Sequence, residues 1–329
     1  MSAFAKLRQW LHWLFLAYEP MRHARWELII MRIALVLMVW DMHSGWTTQW
    51  TNPVKAIQLM VENPFHWDIV EKSQPHPNGF AMFMDFSFLS NDSVEGPLRV
   101  LTAISLILYA IGLPGVFTLL IPLAFNVGIA TLRNSQGAIG HTAQAVYLVL
   151  LSVWAASAWA LWCRRKGRGL PHEFTAGQLE ADWARQALAA AYVVSAISKI
   201  IFSKGAWIAS TRYLPLHIVK NRDMEYYEQL DSAALNLSWL PHIMMDHQWL
   251  SATLFGFALP LELFAFWGLY NRRSAAIFGL GLIAFHQSIT ELMSLSFIYN
   301  KALLLVLFVG PWWWIARLFG KSEAKALRS

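Results

Sequence analysis

Long apolar runs, separated by short charged clusters, dominate this chain. Runs long enough to cross a bilayer lie at 27–46, 97–113, 115–132, 142–163, 181–203, 250–270, 274–293 and 299–317, a helical span needing roughly 17–25 residues. The pattern predicts an all-α fold, a polytopic transmembrane helical bundle of about eight spans. Leu113-Pro114-Gly115 marks a tight turn between the second run and the third. Ahead of the first run, residues 3–18 alternate at helical spacing. Phe4, Leu7, Leu11, Leu14 and Phe15 share one face, while Lys6, Arg8, Gln9 and His12 share another. Such a helix lies along a membrane surface, and Pro20 ends it. The expected organisation is an interfacial amphipathic segment over 1–26, one membrane domain over 27–317 and a basic tail over 318–329.

Composition supports this pattern. Hydrophobic residues make up 57% of the chain and charged residues only 14%, which excludes an ordinary soluble domain. The net charge of +6 comes without a basic stripe interleaved with aromatics, so nucleic acid is not an expected partner. Instead, Arg22 and Arg25, Arg164–Arg168, Arg272 and Arg273, and the basic tail fall on one side of an eight-span path. The positive-inside rule makes that side, with both termini, cytoplasmic. The long connections 47–96 and 204–249 then face outward as a folded cap. The amino terminus carries no cleavable signal pattern, so the first span is expected to direct insertion. A lone cysteine, Cys163, excludes an internal disulfide and any multi-cysteine metal site. His242 and His247 are spaced unsuitably for one helix face, and no metal is expected there. The signatures of phosphate-binding loops, zinc proteases and nucleophile elbows are absent.

The polar residues inside the apolar runs carry the chemistry. Lys199 lies in Ala196-Ile-Ser-Lys-Ile-Ile-Phe202, about 6 Å inside the outer end of the fifth span. A cation there must be paired, reach the interface on its four-carbon stem, or lose its proton. Asp41, His141, His286, Glu291 and Lys301 fall at the same outer level on other spans. Asp41 and Lys301 read as solvated at the interface, while His286 reads either as a core histidine bonded to a neighbouring span or as part of a site, and the convergence of these groups at one level favours a site. Glu262, beside Pro260, lies deeper, where a protonated carboxyl or a pair with Arg32 would join two helices. Most of the eighteen tryptophans read as interfacial anchors.

Tyr192-Val-Val-Ser-Ala-Ile-Ser-Lys199, with Trp207 eight positions on, resembles the lysine-bearing helix of the HTTM family, the vitamin K-dependent γ-carboxylases and their bacterial relatives. Phe285-His286-Gln-Ser-Ile-Thr, Leu259-Pro-Leu-Glu262-Leu-Phe and Arg32-Ile-Ala-Leu resemble further elements of that family, and His141 loosely matches a histidine preceding one of its helices. The chain departs from the family pattern after Trp207, where a glycine is missing, and only 318–329 follows the last expected span, where animal carboxylases carry a large extra-membrane domain. In those enzymes the matching lysine is the proposed base toward vitamin K hydroquinone. Oxygen then makes a stronger base, which removes a glutamate γ-proton, and the carbanion captures carbon dioxide. The resemblance implies Lys199 as base, with His141 and His286 orienting the reacting groups. It also implies Asp41, Trp207, Glu262, Glu291 and Tyr192 around the substrate. The implied cofactors are a quinol, O2 and CO2, without a metal. The implied partners are membrane lipids or a quinone and a secreted peptide or protein, and the implied location is the cell membrane, the inner one in a bacterium.

Two functions of different class follow. One is a membrane enzyme acting on a quinone or other lipidic substrate through Lys199. The other is a non-catalytic module that matures or escorts a secreted peptide, lipid or partner subunit through the 204–249 connection. A proton-relaying carrier is the weakest fit, because the chain lacks an internal repeat.

Overall fold

The computed structural model describes residues 3–44, 76–77, 79–135, 141–230, 232–235, 239–293 and 295–317. The basic tail and much of the 47–96 connection lie outside the described residues. Every regular element among them is helical. In chain order the principal helices are α1 (Ala3–Leu11), α2 (Arg25–Ser44), α3 (Asp92–Ala110), α4 (Leu120–Ser135), α5 (His141–Arg165) and α6 (Ala176–Phe202). Then follow α7 (Leu214–Gln229), α8 (Trp239–Asp246), α9 (Gln248–Gly256), α10 (Ala258–Leu263), α11 (Arg272–Met293) and α12 (Ile298–Leu304).

Six stretches are long and apolar enough to cross a membrane: Ser93–Ala110, Gly115–Ser135, Ala143–Arg165, Ala176–Phe202, Arg272–Met293 and Ile298–Arg317. They fit an integral, multi-pass membrane protein. Two of the expected runs stand outside these six. α2 is a continuous helix of 20 residues, but Glu27, Arg32 and Asp41 make it less apolar. The run over 250–270 is broken into α9, α10 and a 3-10 turn at Ala265–Leu269. Gly256 and Pro260 explain the break, since glycine weakens a helix interior and proline removes a backbone donor there.

The chain divides into two compact units, and the boundary falls inside α6: Arg22–Ala184 form one, and Met1–Met21 with Arg185–Ser329 form the other. In the first, a buried polar node joins four helices. Arg32 on α2 donates to Glu180 Oε2 on α6 at 3.0 Å, and the Tyr109 hydroxyl on α3 donates to the same oxygen at 3.1 Å. The Arg32 guanidinium covers the Tyr109 ring at 4.9 Å, and Ser157 on α5 faces the Glu180 carboxylate. This corrects the expected Arg32–Glu262 pair. Glu180, one of several acids in the sequence, lies within reach of Arg32 and takes its charge.

In the second unit, the end of the amino-terminal segment is tied down by Asn271. The buried Asn271 side chain donates to Leu14 O at 3.2 Å and Ala17 O at 2.9 Å, and Glu19 N donates to Tyr270 O at 2.8 Å. Arg273 stacks on Trp13 at 3.7 Å. Ile218, Met244, Phe255 and Leu292 form an apolar core between α7, α8, α9 and α11. Close helix approach relies on small residues. A Cβ added at Gly279 would lie 2.8 Å from Phe308 Cβ and 3.0 Å from Val309 Cγ2. The Phe308 atom is at the root of its side chain and cannot swing away. Gly279→Ala should therefore destabilise the protein by about 1–3 kcal/mol, read as a lower melting temperature in detergent. An unchanged midpoint would show that α11 and the following segment are not so closely packed.

Candidate functional site

α6 carries a single buried stripe through its second half. Arg185, Leu188, Ala189, Tyr192 and Ala196 are all buried, and the spacing of three and four places Ser195 and Lys199 on the same side. The stripe ends where the helix ends. Gly205 N bonds Ile200 O at 2.8 Å, and Lys204 N bonds Ile201 O at 3.1 Å, the paired bonds of a Schellman turn. Lys204 and Gly205 take positive φ values of 51° and 82° to make it. The turn reverses the chain, so Trp207 returns beside Lys199, with its ring centroid 5.4 Å from Nζ.

Glu262 on α10 answers the lysine. Its Oε2 accepts from Lys199 Nζ and, at 3.4 Å, from the Ser195 hydroxyl one turn earlier. The side chain of Glu262 is 4% exposed and that of Lys199 is 22% exposed. Of the three fates open to a lysine in an apolar run, pairing is the one realised. The last turn of α6 adds its own partial negative charge near the ammonium.

Deeper along the stripe, the Tyr192 hydroxyl and His286 Nε2 share a hydrogen bond of 2.8 Å. His286 stacks on Phe297 with ring centroids 4.7 Å apart, and its Nδ1 is buried without a hydrogen-bond partner among the described residues. Asn300 also faces the Tyr192 phenol. At the end of the stripe an open cavity of about 480 Å³ adjoins Lys199, lined by Ser195, Ser198, Lys199, Phe202, Ser203, Trp207 and Ser210. Its wall offers an ammonium and four hydroxyls against one indole and one phenyl ring, a lining that suits an amphiphile.

Lys199, Glu262, Trp207, Tyr192 and His286 thus lie in one unit. Glu291 is on the same helix as His286 but on its exposed side, accepting from Gln287 Nε2 at 2.6 Å. Gln287 Oε1 in turn accepts from Lys301 at 2.7 Å. Asp41 is buried near the end of α2, and His141 opens α5, both in the other unit. The His141 side chain lies outside the described residues. Sequence reasoning missed Ser195, Asn300 and Phe297. Only Ser195 left a trace, standing four residues before Lys199 on the same helix. Among the described residues, no group of three His, Cys, Asp or Glu side chains is placed to hold a metal ion.

No protein-family profile, curated protein or solved structure matches this chain.

Removing one member of a buried pair leaves the other charge uncompensated, a loss of about 3–5 kcal/mol, whereas removing both is far milder. Glu262→Gln and Lys199→Met should each lower the melting temperature more than Lys199→Met/Glu262→Gln together. Additive losses in the double variant would mean that the two residues act independently.

Proposed function

We propose that this protein is a multi-pass membrane enzyme that takes a proton from a lipidic hydroxyl, that of a quinol in the first instance, at the Lys199–Glu262 pair. The observation that carries this reading is a lysine on the wall of an open cavity with a buried carboxylate paired behind it. The cavity volume lies within the roughly 300–1,000 Å³ typical of small-molecule sites, and Trp207 and Phe202 offer it aromatic surface. A quinol held there would supply an acidic, oxidisable hydroxyl. The chain's own part is a proton exchange. Lys199 hands a proton to Glu262 and regains one from the ligand oxygen, leaving a neutral carboxyl and an ammonium beside the new oxyanion. Charge is conserved, and the positive group stays where negative charge develops. The base of the sequence reading thereby becomes a pair. The resemblance to γ-carboxylases motivates O2 and CO2 as co-substrates and a secreted peptide or protein as acceptor.

The same proposal includes the topology. α2 and the broken segment over 248–269 complete eight crossings, with both termini cytoplasmic and the cavity toward the outer leaflet of the cell membrane. A second reading, a non-catalytic module that escorts a peptide, lipid or subunit, draws support from one surface. Tyr213, Leu216, Met224 and Tyr227 are exposed along and just before α7.

Mass spectrometry of lipids carried through purification distinguishes the two. The enzyme reading expects a defined amphiphile with the wild-type protein, depleted several-fold by Trp207→Ala and by Lys199→Met/Glu262→Gln in folded protein. Retention of the same lipids by these variants, with loss of a co-purifying partner on Leu216→Glu/Tyr227→Glu, would replace it with the second reading.

A further inference from the structure

The segment Gly79–Ser90 has an unusual surface for a connection between membrane helices. Phe80, Met82 and Phe83 are 65%, 71% and 88% exposed, and Met84 and Phe88 are also exposed. Exposed apolar clusters of this kind mark a surface that something apolar covers. The segment is not a loop reaching away from the bundle. His76 N donates to Ser135 O, the last residue of α4, at 3.0 Å. Leu89 then packs into a core with Phe125, Ile129 and Leu132 of the same helix. It lies so close to Gly128 that an added Cβ would come within 2.6 Å of Leu89 Cδ1.

Gly128 to Ser135 covers about two helical turns, about 11 Å of axis, and belongs to a stretch long and apolar enough to cross a membrane, Gly115–Ser135. The short helical turns at Gly79–Met82 and Ser87–Ser90 therefore run beside the last two turns of a span. Backbone at that depth needs its polar groups satisfied internally, and several of them are. Phe83 N and Met84 N bond Phe80 O at 3.0 and 3.2 Å, and Leu89 N bonds Phe86 O at 3.0 Å. Asp85, the one charge in the segment, folds back on its own chain and accepts from Ser87 N at 2.8 Å and Ser87 Oγ at 2.9 Å. Next along the chain, α3 exposes Val100, Leu101, Ile104 and Ile107, an apolar surface in a membrane-crossing helix.

We infer that Gly79–Ser90 is a membrane-embedded interfacial segment whose exposed phenylalanines and methionines enter the lipid at the boundary of headgroups and acyl chains. The occupant of this surface is lipid because the patch lies along a helix long and apolar enough to cross a membrane, leads into the apolar surface of α3 and carries a single charge, Asp85, which suits the headgroup side of that boundary. The inference is independent of the chemistry at Lys199.

Site-directed spin labelling tests it on the full-length protein in phosphatidylcholine vesicles. In a Cys163→Ala background, labels introduced by Phe83→Cys and Phe80→Cys should collide with oxygen, which partitions into lipid, several-fold more often relative to a water-soluble nickel chelate than a label introduced by Lys166→Cys. Exposure this high means neither substitution removes packing, and a melting temperature equal to that of the background checks the fold. Free collision with the nickel chelate at 80 and 83 would place the segment in water. Rare collision with both reagents would place it against protein. Either result overturns the inference.

Discussion

A charge placed among apolar helices must be compensated where it stands, and that constraint organises this molecule. Lys199 meets Glu262, Arg32 meets Glu180, and the fully buried Arg185 donates to Gly268 O at 2.8 Å. All three involve α6, so this long apolar helix is held by directional contacts and not by apolar packing alone. Desolvation opposes such pairs and good geometry offsets it. Their value therefore lies in fixing which helix faces meet. Lys199 differs from the other two in one respect. It sits at a helix end beside a cavity, where a paired group can still meet a ligand.

Stability and reactivity are arranged in sequence along that helix. The stripe from Arg185 to Ala196 is closed, and within it the Tyr192 hydroxyl and His286 share a buried hydrogen bond. Beyond it the Schellman turn brings Trp207 back, converting a helix terminus into one wall of a pocket. The apolar cluster of Ile218, Met244, Phe255 and Leu292 holds α7, α8, α9 and α11, so the helix that carries His286 is braced independently of any bound molecule.

The apolar runs made most of the crossing helices legible, because length and hydropathy alone determine what a bilayer accepts. They did not reveal that the helix over 250–270 is broken, since hydropathy is blind to where Gly256 and Pro260 interrupt the backbone. The alignment of Tyr192 and Lys199 was also legible, as spacing on one helix is a local property. The partner of Lys199 was not. Glu262 is 63 residues away, and nothing in its neighbourhood distinguishes Lys199 from Arg32 as its counter-charge. Likewise Asp41 and Glu291 resembled Lys199 in depth, yet one is buried in the other unit and the other faces outward. Depth along a helix can be counted from sequence, but the direction a residue faces depends on how the helices pack.

The central claim is that the Lys199–Glu262 pair meets a lipidic ligand in the adjoining cavity. A density map of the protein in nanodiscs prepared with native membrane lipid tests it most directly. The account predicts elongated density between Trp207 and Phe202 with its polar end in hydrogen-bonding reach of Lys199 Nζ. A cavity holding only water, or an acyl chain whose polar end lies away from the lysine, would contradict it.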